Sequence, residues 1–317
     1  MTAMAWQTTG DVTKFLAAAG PYLRTERVRN TVLLSVTETM RVNAETTRVH
    51  AAASSGDSSP AAGHPAAPSA ASGRDAPRAD RPLFGWWSDP AGTVAGAFMH
   101  TPPFPIVLTE VGLEAAAELA AVTLAGRPLG GVNAHPEVAQ AFADGWRDGR
   151  PGGRVDVYRR QRLYRLPELV WPDPLSAGTA RMARDADATL TADWFAALAE
   201  EVDDMGKGED QSAAARAKIA QGGVLVWEDD GQPVSIACNT LPVAGMVRIG
   251  PVYTPPEARG HGYASAATAA LSQRLLEEGA EEVLLYTDLA NQVSNSIYQR
   301  IGYRPVDDRV VLAFSAG

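Results

Sequence analysis

Residues 255–267 read Pro-Pro-Glu-Ala-Arg-Gly-His-Gly-Tyr-Ala-Ser-Ala-Ala. A glycine-rich turn between a strand and a helix aims several backbone N–H groups one way, backed by the positive end of the helix dipole. Such a corner holds phosphate oxygens. Gly260 and Gly262 have no Cβ, so the backbone can curl and a bulky anion can come close. The small residues Ala264, Ser265, Ala266 and Ala267 let the helix lie near the sheet. A P-loop would need Gly-Lys-Ser/Thr at the helix start, and Gly262-Tyr263-Ala264 supplies no lysine. A dinucleotide fingerprint needs a third glycine where Ser265 stands, and it normally occupies the first βα unit of its domain.

The strand before the corner, Arg248-Ile249-Gly250-Pro251-Val252-Tyr253-Thr254, carries its own signal. Pro251 cannot donate to a ladder and Gly250 weakens one, so the strand is predicted to bulge and diverge from its neighbour. Divergence leaves backbone groups of Val252 and Tyr253 free for an extended, amide-rich ligand.

Arg259-Gly260-His261-Gly262-Tyr263-Ala264 fits Arg/Gln-x-x-Gly-x-Gly/Ala and resembles the pyrophosphate loop of the GCN5-related N-acetyltransferase (GNAT) family. Asn291, Tyr298 and Gly302-Tyr303 resemble that family's second signature, and the likeness extends over 176–317. The resemblance implies acetyl-CoA as co-substrate, with Val252, Tyr253, Thr254, Arg259, Gly260, His261, Gly262, Tyr263, Ala264, Ser265 and Asn291 holding it. It implies direct attack of a primary amine, on a small molecule or peptide, at the thioester. Tyr298 would act as general acid to the departing thiolate. A binder of acyl-CoA without turnover, transfer to a hydroxyl, and a longer acyl chain stay open. Histone-type members carry a glutamate base eleven residues before the loop arginine, and Arg248 stands at that position here. Glu257 is expected to be solvated on a turn, and His261 lies within the phosphate-wrapping loop, so no base is assigned.

Composition narrows the alternatives. A formal charge of −9 and a pI near 5.1 argue against nucleic acid or an anionic membrane as partner. The single cysteine, Cys238, excludes an intrachain disulfide and is expected in the core. The five histidines show no ligand spacing, so no metal is expected. No apolar run approaches a membrane span and the first residues lack a leader pattern, which predicts a cytoplasmic protein.

The elements that must position this chemistry form an α/β (α+β) fold, a mixed sheet flanked by helices, in two units. A first domain over 1–170 opens with an amphipathic helix across 21–42. It then holds an Ala/Ser/Pro/Gly-rich stretch at 51–82, expected to be disordered because it has almost no large apolar side chain to bury. Its order of strand, helix, strand, helix, strand over 104–166 resembles a degenerate second copy of the family fold. The turn there, Thr109-Glu110-Val111-Gly112, has one glycine and acidic neighbours, so no cofactor is expected in that half. The proline-interrupted stretch 169–180 reads as the connection to the catalytic domain at 176–317.

Overall fold

The computed structural model describes residues 4–54, 81–202, 208 and 210–316. The first half of the chain forms β1 (Ala5–Thr9), α1 (Val12–Thr25), α2 (Thr31–Ser54), β2 (Leu83–Ser88), β3 (Val94–His100) and β4 (Ile106–Leu108). There follow α3 (Leu113–Glu118), extended by a π-helical turn at Leu119–Thr123, then β5 (Gly131–Ala134), α4 (Pro136–Asp148) and β6 (Arg154–Arg165). The second half forms β7 (Thr179–Met182), α5 (Ala188–Glu201), α6 (Ser212–Ala220), β8 (Val224–Asp229), β9 (Gln232–Asn239) and β10 (Met246–Tyr253). It ends with α7 (Tyr263–Glu277), β11 (Glu282–Asp288), α8 (Gln292–Arg300) and β12 (Arg304–Ser315). The low-complexity stretch lies outside the described residues over 55–80, while its first four residues, 51–54, continue α2.

Two compact units emerge: 1–25, 32–158 and 311–317 form one, and 26–31 with 159–310 form the other. Strands β6 and β12 change unit part-way, at 158/159 and at 310/311. The stretch 169–180, expected as the connection, lies inside the second unit. There Val170 N–H donates to Ile301 C=O at 3.0 Å, and Trp227 Nε1 donates to Ala177 C=O at 2.9 Å. Prolines mark a turn locally, and unit membership follows from strand partners far away in sequence.

In the first unit β1, β2, β3 and β4 pair antiparallel in that order, and β4 pairs parallel with β5. Phe15, Phe84, Phe98, Ile106, Val132 and Phe142 are fully buried beneath its helices. The single helix predicted over 21–42 is instead two, broken at 26–30. Arg27 there turns to Ala244 C=O, at 2.8 Å, and to Glu281, at 2.6 Å, partners that no local pattern announces.

The second unit holds the order β6-β11-β10-β9-β8-β7, with only β10 and β11 parallel among these pairs. The β8–β9 hairpin turns on Asp230 and Gly231 at φ 49° and 75°, left-handed values that suit an Asp-Gly pair. One face carries α7 over Val247, Ile249, Val283 and Leu285; the other carries α5 and α6 over Val224, Val226, Ile236 and Cys238. No helix among the described residues is long and apolar enough to cross a membrane.

Candidate active site

Parallel pairing of β10 with β11 runs from Met246 opposite Glu282 to Ile249 opposite Leu285. Beyond that point β10 bulges at Gly250 and Pro251 and stays with β9, where Val252 faces Ala237 and Tyr253 faces Ile236. β11 goes on pairing with β6, through Asp288 opposite Gln161. The two strands therefore part, as the Gly-Pro pair predicts. Asn239 N–H donates to Gly223 C=O on the β8 side. By strand alternation Ala237 faces that way too, so its partner Val252 turns N–H and C=O toward the space that β11 has left. Tyr253 C=O is taken by the Ser235 hydroxyl at 3.0 Å, and Thr254 Oγ1 lies 2.8 Å from the same hydroxyl.

The corner follows from its residue types. Pro256–Ala258 form a 3-10 turn, and Gly260 and Gly262 adopt φ of +82° and +81°, where a side chain would be strained. Gly262 is the N-cap of α7, and no side chain caps this helix start. The first-turn N–H groups of Tyr263, Ala264 and Ser265 have no intrahelical acceptors. The loop is braced from outside: Ser176 Oγ donates to His261 C=O at 2.7 Å, the Tyr263 hydroxyl donates to Asp229, and His261 stacks on Tyr263. Arg259 lies over the Tyr253 ring, donates through Nε to Thr254 C=O, and meets both Glu201 oxygens at 2.7 Å. Its guanidinium thus fixes the approach to the loop. Glu201, Ser176 and Asp229 are supports that the sequence signals in no way, since each acts across a long stretch of chain.

Asn291 is the N-cap of α8, its side chain accepting from Ser294 N–H at 3.0 Å. Tyr298, on the same helix, packs against the α7-side core, edge-on to Tyr303. Burial pushes its phenol up to about 12, so the group is protonated at neutral pH. Among the described residues its hydroxyl has no hydrogen-bond partner. The signature glycine, Gly302, has a packing reason: at φ +107°, a Cβ there would lie 2.0 Å from Glu168 C=O. Tyr303 is fully buried and shares a hydrogen bond with Ser272 Oγ. Cys238 is buried among the residues under α5 and α6, and burial pushes its thiol up to about 12, which leaves a poor nucleophile.

The matching turn of the first unit is built differently. Gly112 has φ −56°, Glu114 stands in the first turn of α3, and Thr109 Oγ1 accepts the Ala97 N–H. A cavity of about 620 Å³ in that unit, lined by His100, Trp146, Arg150 and Phe314, includes none of the signature residues. No cluster of three metal-ligating side chains occurs among the described residues.

In the second unit the parallel strands β10 and β11 part beside a helix start capped by glycine, which leaves backbone groups and first-turn N–H groups unpaired on one side of the sheet. Residues 188–303, within the second unit, match the model of the acetyltransferase (GNAT) family. A Drosophila protein structure superimposes with a TM-score of 0.61 at 14% identity, covering 99% of each chain. A GNAT-family acetyltransferase from Colwellia psychrerythraea gives 0.50 at 12% identity, over 73% of this chain and 85% of that one. A GCN5-related N-acetyltransferase from Kribbella flavida gives 0.48 at 22% identity, over 71% and 89%. No curated protein sequence matches the chain.

Proposed function

We propose that the protein is an acetyl-CoA-dependent N-acyltransferase acting on a primary amine. The parting of β10 from β11 carries this reading, because it leaves the Val252 backbone groups facing a gap beside the uncapped start of α7. In this reading the Gly260–Ser265 backbone holds the pyrophosphate, and Val252 pairs with the pantetheine amides. Tyr253 and Thr254 shape that edge, Arg259 braces the loop, and Asn291 caps the helix that presents Tyr298.

The amine attacks the thioester carbonyl to form the C–N bond and a tetrahedral oxyanion, the ammonium proton leaves to water, and collapse of the oxyanion breaks the C–S bond and releases the thiolate. A backbone N–H at the strand gap stabilises the oxyanion, and the Tyr298 hydroxyl protonates the thiolate. Arg248, where histone-type members carry a glutamate, favours proton loss to water, and it is also the observation behind a second reading as an acyl-CoA binder without turnover. Release of free thiol from acetyl-CoA across an amine panel tests the proposal. Tight binding with no thiol released by any amine would leave the binder.

The first unit takes no coenzyme A in this reading, since Glu110 and Glu114 flank its turn and no left-handed glycine opens it. The acceptor is a small molecule or peptide.

A further inference from the structure

Arg248 lies opposite Leu284, on the last residue pair but one before the strands part, and Tyr286 is the first β11 residue beyond the pairing. Alternation puts Arg248, Leu284 and Tyr286 on one face, opposite the face that α7 covers. Each of the two polar side chains ends in an atom that is buried and has no hydrogen-bond partner, Arg248 Nη1 and the Tyr286 hydroxyl. They are close enough for each to act on the other's ionisation, and burial holds the guanidinium below its ordinary value and the phenol above its own. Lys218, from α6, is a further cation whose charge Arg248 opposes, and Arg309 and Asp307 act on Tyr286 from the same surroundings. A buried guanidinium N–H and phenol O–H, both donors and both without acceptors among the protein's own groups, are costly unless a ligand supplies acceptors. A guanidinium with a neighbouring O–H donor matches a carboxylate, which offers two acceptor oxygens and the opposite charge.

We propose that Arg248 and Tyr286 receive a substrate carboxylate at the parting of β10 and β11. This rests on the acyl-transfer reading and narrows its substrates: the carboxylate is carried by the acceptor amine, as in an amino acid, or by the free end of the acyl group. Arg248 then binds where a glutamate base would repel such a substrate.

Calorimetry on the full chain distinguishes these sources. With coenzyme A bound, N-acetylglycine, N-acetyl-β-alanine and 4-acetamidobutyrate are each titrated against the corresponding amide; separately, succinyl-CoA is titrated against acetyl-CoA. An acid favoured at least tenfold over its amide places the carboxylate on the acceptor, and a like preference for succinyl-CoA places it on the acyl group. Either preference should fall to within twofold in Arg248→Met and weaken in Tyr286→Phe, while the affinity for coenzyme A holds. Arg248→Met should fold at least as well as the parent, since it removes a cation whose buried Nη1 has no partner. Coenzyme A binding with no acid preference in either series, or a preference that both variants keep, overturns the carboxylate site and leaves the acyl-transfer reading standing. Failure to bind coenzyme A at all overturns both.

Discussion

Gly262 and Ser176 meet so closely that a β-carbon on the glycine would lie 2.6 Å from the serine Oγ. The serine cannot yield without loss, because that oxygen donates to His261 C=O. Gly262→Ala should therefore cost about 1–2 kcal/mol for the left-handed residue alone, read from denaturant unfolding. It should also weaken coenzyme A by tenfold or more in calorimetry. Gly262→Asp adds a negative charge where the pyrophosphate is proposed to sit, and binding should vanish. Undiminished affinity in the aspartate variant would place the phosphates elsewhere.

Tyr298→Phe removes a hydroxyl that bonds to nothing among the described residues while keeping the ring against Tyr303. Melting temperature and coenzyme A affinity should barely change, and the turnover number should drop by ~10²-fold or more. With the phenol at about 12, ionisation removes the proton donor only near that pH. Below about pH 11 no more than roughly a tenth is ionised, so wild-type turnover should show no alkaline fall from this group up to there. Wild-type turnover in the variant would make Tyr298 a packing residue.

Arg181 holds Asp187 through two contacts of 2.7 and 2.9 Å, and the Asp187 carboxylate also accepts the Arg184 N–H at 2.7 Å. The hydrogen bond from Arg181 is the largest cause holding the Asp187 carboxyl below its usual range. A depressed folded pKa means stability present above the unfolded value, near pH 4, and lost as pH falls through the folded one. Asp187→Asn should cost about 1–3 kcal/mol at pH 7, since Arg181 and the Arg184 N–H lose a charged partner. The deficit should shrink in acid below pH 4, and a deficit constant from pH 7 to 3 would assign the loss to packing.

Leu284, Leu285 and Tyr286 pair with Arg165, Tyr164 and Leu163, and Tyr164 and Leu163 are fully buried. A fragment of residues 176–317 would strip this strand from β11 and expose an apolar edge. It should aggregate or melt well below a fragment of residues 159–310, as followed by circular dichroism and size-exclusion chromatography. Equal melting of the two would mean that β6 contributes little to the second unit.

Much of the candidate site's local backbone geometry was legible because its signals are short-range. Gly260 and Gly262 demand left-handed backbone, Gly250-Pro251 spoils a ladder, and Asp230-Gly231 turns a hairpin; each effect acts within a few residues, and each appears where the residue types require it. The spacing from Asn291 to Tyr298 and Gly302 likewise lies within one helix and its exit, although the cap formed by Asn291 and the clash that reserves position 302 for glycine are facts of contact.

What only the tertiary structure decided are relationships between segments far apart in sequence. Arg27, where the helix breaks, meets Ala244 and Glu281, β6 and β12 each change unit part-way, and Glu201 takes the guanidinium of Arg259 across more than fifty residues. From the letters, Arg248 is merely the wrong residue for a base. Its buried, unpartnered Nη1 shares a sheet face with the Tyr286 hydroxyl only because the sheet sets β10 beside β11 and then lets them part. Local preference fixes backbone conformation residue by residue, whereas burial and pairing of a long side chain depend on which distant strand the whole core brings alongside it.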